Sequence, residues 1–132
     1  CANKSNWYST PQHFLKAPFL GYVYNDLKED NICIGNYGEN NPGLIKLIDF
    51  GLCTPFLDDQ GAHISMKDAK FRGNLSFTSS NSMNFKTTSR RDDLIGLFYF
   101  LISLKSCREF PFQQEKNEPW QDAFKRIRNL KR

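Results

Sequence analysis

Two short apolar runs constrain this chain more than any other feature: Ile32-Cys33-Ile34 and Leu44-Ile45-Lys46-Leu47-Ile48, separated by Gly35-Asn36-Tyr37-Gly38-Glu39-Asn40-Asn41-Pro42-Gly43. Apolar runs bounded by Gly, Asn and Pro read as strands joined by a reversing loop, so the pair is a short β-hairpin. A hairpin carries whatever precedes its first strand and whatever follows its second to the same end. Here the preceding stretch is Tyr24-Asn25-Asp26-Leu27-Lys28-Glu29-Asp30-Asn31, and the following one is Asp49-Phe50-Gly51. Asn31 and Asp49, distant in sequence, are thereby brought together. Gly51, free to take positive φ, is expected to form the turn beside Asp49.

The residue types at that end are informative. Phosphoryl transfer needs a carboxylate to receive a hydroxyl proton, a cation beside the moving group, and oxygen ligands for Mg²⁺. Asp26, Lys28, Asn31 and Asp49 are residues of those types. Asp-Phe-Gly alone is a common tripeptide; the hairpin and the ordered set in front of it give it meaning.

Bulk properties set the bounds. At 132 residues with 39% hydrophobic content, the chain is one domain at most. Opening on Cys1 in place of Met suggests an incomplete N-terminus. The net charge of +4 is too mild to argue for nucleic-acid binding. Cys1, Cys33, Cys53 and Cys107 form no metal-ligand spacing and read as reduced thiols of an intracellular protein, cytoplasmic or nuclear. No signal segment opens the chain. The longest apolar run, Leu94 to Leu104, has 11 residues, too few to span a bilayer.

In chain order, residues 1–20 show no clear period and read as a divergent or poorly ordered lead-in. Gly21-Tyr22-Val23-Tyr24 reads as a short strand, and residues 52–88 as a long polar segment. Ser89-Arg90-Arg91-Asp92-Asp93 opens the strongest helix, 90–104, with Ser89 as N-cap and the acidic pair at the positive end of the dipole. That helix is apolar nearly all round, so it is expected to be the buried core. After the turn at Phe110-Pro111-Phe112, a last helix over 118–130 places Trp120, Phe124 and Ile127 on one face, with Pro119 in its first turn. Its Lys125, Arg126, Arg128, Lys131 and Arg132 form either a solvated face or a surface for phosphates.

From Gly21 to Phe112 the sequence resembles the protein kinase fold, and within it the casein kinase 1 group, which includes the tau-tubulin and vaccinia-related kinases. The group-specific stretches are Phe71-Arg72-Gly73, Phe77-Thr78-Ser79, Ser89-Arg90-Arg91-Asp92-Asp93-Leu94 and Leu97-Phe98-Tyr99. Ser79-Ser80-Asn81 stands where most kinases carry Ala-Pro-Glu. The resemblance implies an α+β fold: a kinase large lobe, mainly helical, with a hairpin beside a catalytic loop at 24–31. It also implies a metal-binding turn at 49–51 and an activation segment at 52–88. Residues 21–132 would be a partial kinase domain, a whole one being roughly twice the length of this chain. The implied activity is ATP-dependent phosphorylation of Ser/Thr hydroxyls on a protein substrate. Asp26 would accept the hydroxyl proton and Lys28 neutralise the transferred phosphoryl. Lys28, Asn31, Cys33 and Asp49 would face ATP, with Asn31 and Asp49 holding Mg²⁺. Phe50 and Gly51 would support the turn, and Asp93 would anchor the catalytic loop backbone, where helix capping is its simpler role.

The sequence also departs from the pattern. Tyr24-Asn25 replaces the family's His-Arg, and Asn25 has no charge to bind a phosphorylated activation segment. Asn74 replaces a Thr, Ser76 a basic residue, and Cys33 the Leu of the adenine floor. No Gly-rich phosphate loop, strand Lys or helix Glu of a small lobe stands before Asp26. The other reading is a non-catalytic pseudokinase or scaffold that binds a protein partner. Nucleic-acid binding rests on the last helix alone.

Overall fold

The computed structural model describes residues 21–35, 42–106 and 110–132. The lead-in over 1–20, the hairpin tip at 36–41 and Cys107 lie outside them. Strand β1 (Tyr22–Val23) turns Val23 inward and leaves Tyr22 outside. Residues Glu29–Asn31 make a 3₁₀ turn that leads into β2 (Ile32–Ile34). Next come β3 (Ile45–Leu47) and β4 (Thr54–Pro55). Helices α1 (Ser80–Met83), α2 (Arg90–Lys105) and α3 (Trp120–Leu130) complete the order.

The strands make two antiparallel pairs. In the hairpin, Ile32 faces Leu47, Cys33 faces Lys46 and Ile34 faces Ile45. Across its open end the Ile48 N–H donates to the Asn31 carbonyl at 3.0 Å, so Asp49 follows directly beside Asn31. In the other pair, Tyr22 faces Pro55 and Val23 faces Thr54, with the Phe56 N–H donating to the Gly21 carbonyl at 2.8 Å. Pro55 has no N–H to give, which a two-stranded pair tolerates because each strand is an edge.

Residues 52–88 are not structureless. Their later half doubles back: the Ala69 N–H donates to the Phe85 carbonyl at 2.7 Å and the Thr87 N–H to the Lys67 carbonyl at 2.9 Å. Inside that fold, Ser79 caps α1 through its hydroxyl, which accepts from the Ser82 N–H. The core gathers here: Leu75, Met83, Ala123, Phe124 and Ile127, with Phe71 and Phe112 packed against it. The strip on α3 that meets it follows the 3.6-residue period. The helix begins at Trp120 and not at 118, because Pro119 has ψ 140, outside the helical range.

Helix α2 departs from the sequence expectation of a buried core helix. Of its residues only Asp92 and Gly96 are buried, while Leu94 is 66% and Phe98 62% exposed. Leu101 and Leu104 are exposed as well. The reason is physical: composition tells which side chains favour burial, but burial requires another segment to arrive. Among the described residues α2 meets the rest of the chain along one side only. There Gly96 passes under the Phe77 carbonyl so closely that a Cβ would sit 3.0 Å from it. Substitution separates the two environments. Met83→Ala should cost about 2–5 kcal/mol in urea unfolding, and Leu94→Ala should stay within about 0.5 kcal/mol. Equal costs would show α2 to be core.

Candidate active site

Asp26 lies 5% exposed at the centre of a polar cluster built from two stretches of chain. Its Oδ2 receives Lys28 Nζ at 3.0 Å and Asn31 Nδ2 at 3.0 Å. Asn31 Nδ2 also donates to the Asp26 carbonyl at 2.9 Å, which fixes the amide's orientation. From the far segment, Asn74 Nδ2 donates to the Leu27 carbonyl at 2.8 Å and lies 3.4 Å from Asp26 Oδ1. The hydrogen bond to Asp26 is the main cause holding the Lys28 ammonium above its ordinary pKa, with burial opposing it. The result is a carboxylate held in place with a cation against one oxygen.

Asp49 follows the hairpin with an exposed side chain. Its own φ is 54, in the left-handed region, whereas Gly51 is not left-handed. The positive φ of this turn thus falls on Asp49, with Gly51 in the turn beside it. The Asp49 Oδ1 accepts from the Gly51 N–H at 3.1 Å, a local turn that Asp makes readily and that offsets the backbone strain. A Cβ at 51 would sit 3.0 Å from that same oxygen, a tight contact that the exposed carboxylate can relieve by a small shift. Cys33 is exposed on β2. The other thiol near the site, Cys53, is pushed up to about 12, first by burial and then by the Asp93 and Asp49 charges, so it stays protonated and unreactive.

Asp93 connects α2 to the loop. Its Oδ2 accepts the Tyr24 N–H at 2.7 Å and its Oδ1 the Asn25 N–H at 2.9 Å. Burial raises the Asp93 pKa, and these two N–H groups oppose the rise. The neighbouring Asp92 is not merely a helix cap. Its Oδ2 accepts the Ser89 N–H at 2.7 Å, while its Oδ1 accepts from Ser79 Oγ at 2.6 Å and from Asn81 Nδ2 at 3.1 Å. One carboxylate thus caps α2 and fastens the segment before α1. The only sequence signal for this was a second Asp ahead of an apolar run.

Tyr24 and Asn25, noted in sequence only as departures, both hold structure. The Tyr24 hydroxyl donates to the Ile48 carbonyl, and its ring meets Phe50 edge-on at 5.5 Å. The loop is thereby tied to the Asp49 turn. Asn25 sits at φ 69, which Asn tolerates. Its Nδ2 donates to the Leu52 carbonyl and to Thr54 Oγ1, each at 2.9 Å. Its Oδ1 accepts from Thr88 Oγ1 at 2.6 Å. A neutral side chain fastens both ends of the 52–88 segment.

The structure therefore brings Asp26, Lys28 and Asn31 into contact, sets Asp49 beside Asn31 along the backbone, and joins Asp93 to the loop from α2. No protein-family model matches the chain. It is 39% identical over 89 residues to a probable casein kinase I homolog of Encephalitozoon cuniculi, 67% of this chain and 26% of that protein. Casein kinase I homolog 1 of Saccharomyces cerevisiae is 36% identical over 85 residues, 60% of this chain and 16% of the yeast protein. The chain is casein kinase 1-like. A third relative, an inactive tau-tubulin kinase of Caenorhabditis elegans, is 28% identical over 104 residues, 74% of this chain and 36% of its own length. The chain thus spans about a third or less of the length of these relatives. Its mixed α/β architecture with small sheets is that of a kinase-like segment. Among the described residues no helix is long and apolar enough to cross a membrane, and no group of three or more His, Cys, Asp or Glu side chains is placed to hold a metal.

The casein kinase 1-like loop should show its Tyr24 tie in alkaline solution. Burial, the largest cause, and the Asp26 charge raise the Tyr24 phenol well above the ordinary 10.0. In the unfolded chain the phenol ionises near 10.0, so above that pH the folded state binds more protons. The stability Tyr24 contributes is complete below that pH and is lost as pH climbs through the raised value. Burial raises Tyr99 as well, so titration by absorbance at 295 nm should show late-ionising tyrosines, and Tyr24→Phe should reduce their number by one. A variant titrating like the wild type would sink the assignment.

Proposed function

We propose that the chain is the large-lobe part of a serine/threonine protein kinase that transfers the ATP γ-phosphoryl to protein hydroxyls. The observation that carries the reading is the buried Asp26 carboxylate, fixed by Asn31 and paired with Lys28 at 3.0 Å. Asp26 is the group to receive the substrate hydroxyl proton as the oxygen attacks phosphorus. Lys28 keeps its ammonium against Asp26 and lies where charge develops on the transferred group. Fixing both in advance lowers the reorganisation required during the reaction.

Asn31 and Asp49 are hard oxygen donors at the same end of the hairpin, and Asp49 is exposed to solvent. Mg²⁺ keeps several waters and accepts only one or two protein oxygens, so this pair suits it. Mg²⁺ when bound would neutralise phosphate charge. The residues' own part is to hold those oxygens still, Asn31 through Asp26 and Asp49 through the Gly51 N–H. Cys33 on β2 would line the adenine side, and Phe50, packed on Tyr24, would hold the turn. The second reading, a non-catalytic pseudokinase that binds a protein partner, draws support from the relative named inactive and from Tyr24-Asn25.

Three experiments test the reading. In the complete coding sequence, Asp26→Asn should lower peptide phosphorylation by about 10²- to 10⁴-fold and leave the fold intact. Unchanged turnover would remove Asp26 from the chemistry, and no turnover in the parent protein would favour the pseudokinase. With no Gly-rich loop in its sequence, the 132-residue chain assayed by itself should fall far below the roughly 1–100 s⁻¹ of kinases. Activity should also survive phosphatase treatment. Asn25 already holds Leu52, Thr54 and Thr88 by neutral hydrogen bonds, and it carries no charge for a phosphate. A large drop after treatment would show that another basic residue does so.

A further inference from the structure

Lys131, one of the basic residues for which sequence allowed a solvated face, is buried, at 7% exposure. Its Nζ donates to the carbonyls of Leu75, Ser76 and Thr78, each at 2.8 Å. The ammonium also lies 4.8 Å from the ring centres of both Tyr99 and Phe112. It forms no ion pair with a carboxylate among the described residues. A buried cation without a counter-ion is costly, and burial accordingly pushes the Lys131 amine down to about 7, so what holds the group in place is the geometry around it. Three carbonyls converging on one point, with two aromatic faces behind them, match the three hydrogens of an ammonium and its charge.

The carbonyls it gathers begin at the residue after Asn74. Asn74 is in turn clamped by that same stretch, its Oδ1 accepting the Phe77 N–H at 2.8 Å and its carbonyl the Thr78 N–H at 3.3 Å. From this clamp its Nδ2 reaches the Leu27 carbonyl and lies near Asp26 Oδ1. Upstream, Gly73 at φ 97 passes so close that a Cβ would meet the Asn25 carbonyl oxygen at 2.3 Å. The turn from 73 to 79 is thus braced against the Asp26 loop on one side and against Lys131 on the other. We propose that Lys131 is a positioning residue for the Asp26 site: by gathering the Leu75, Ser76 and Thr78 carbonyls it sets the turn that aims Asn74 at the Asp26–Leu27 loop. The proposal rests on the reading of Asp26 as the proton acceptor, but the arm of the test that decides the coupling does not require turnover.

The test uses the full 132-residue chain, labelled for NMR, with Lys131→Met to keep the side chain's length and remove its donors, and Lys125→Met as an exposed control. Exchange of the Asn74 side-chain amide should quicken about tenfold or more in Lys131→Met, while the Tyr24 and Asn25 amides held by Asp93 keep their protection. The control should change neither. Unchanged Asn74 exchange in a folded Lys131→Met overturns the proposal. So does an equal loss at Asn74, Tyr24 and Asn25, which marks general destabilisation. Should Lys131→Met not fold, Lys131→Gln retains two donors and is read by the same criteria. Should neither fold, the wild type in low urea decides: the Lys131 ammonium and the Asn74 amide should open with one common dependence on urea, and separate openings overturn the coupling. In the complete coding sequence, Lys131→Met should lower kcat with KM for ATP unchanged. Coupled exchange together with an unchanged kcat would keep the brace but remove its role at Asp26, and no turnover in the parent would count against the kinase reading alone.

Discussion

The geometry of the site depends on the carboxylate of Asp93. Both its oxygens accept backbone N–H groups of the loop, from Tyr24 and Asn25, so the first turn of α2 fixes where Asp26 begins. Hydrogen bonds to a charged acceptor are about twice as strong as neutral ones and tightly directional. A carboxylate is also one of the few side chains able to accept two adjacent amides at once. Once these amides are fixed, Asn25 can adopt its left-handed backbone and Tyr24 can reach Ile48. Burial of Asp93 costs desolvation, visible in its raised pKa, and the two amides offset that cost.

Around that anchor the rest of the site is assembled by polar side chains more than by apolar packing. The core of Leu75, Met83, Ala123, Phe124 and Ile127 stabilises the part of the molecule around α1 and α3. Asn74 joins this part to the Asp26 loop, Asp92 fastens it to the start of α2, and Lys131 ties the end of α3 to the turn that carries Asn74. Each uses one polar group to hold several partners: Asp92 holds Ser79, Asn81 and Ser89, and Lys131 holds three carbonyls. Such buried networks are sensitive to single substitutions, because removing one member leaves several partners unsatisfied. They also give a unique arrangement, in which the Asp26 carboxylate and the Lys28 ammonium lie 3.0 Å apart.

The local signals in the sequence were those with short-range physical causes. Turn residues between two apolar runs specify a hairpin regardless of what surrounds it, and so bring Asn31 and Asp49 to one end. Ser89 and the acidic pair mark a helix start for reasons contained within one turn. The site's residue types, Asp26, Lys28, Asn31 and Asp49, could be read because their order is compact and their chemistry distinctive. A tripeptide does not reveal which of its residues takes a left-handed torsion. Here Asp49 takes the left-handed torsion, and its Oδ1 accepts from the Gly51 N–H.

The sequence by itself determined the hairpin, the start of α2, the apolar strip of α3 and the casein kinase 1-like character of the chain, each carried by residues within a few positions of one another. Tertiary structure alone decided what long side chains reach. Lys131 is one of five basic residues read on the last helix, yet it is the one buried beneath Tyr99 and Phe112, because the turn from Leu75 to Thr78 passes over it. Asp92 and Asp93 are adjacent and chemically identical, yet they face different segments, because successive helical residues point about 100° apart. The apolar surface of α2 follows the same logic. Its sequence states that those side chains favour burial, but only the arrival of another segment can supply it, and over Leu94 and Phe98 the described chain supplies none.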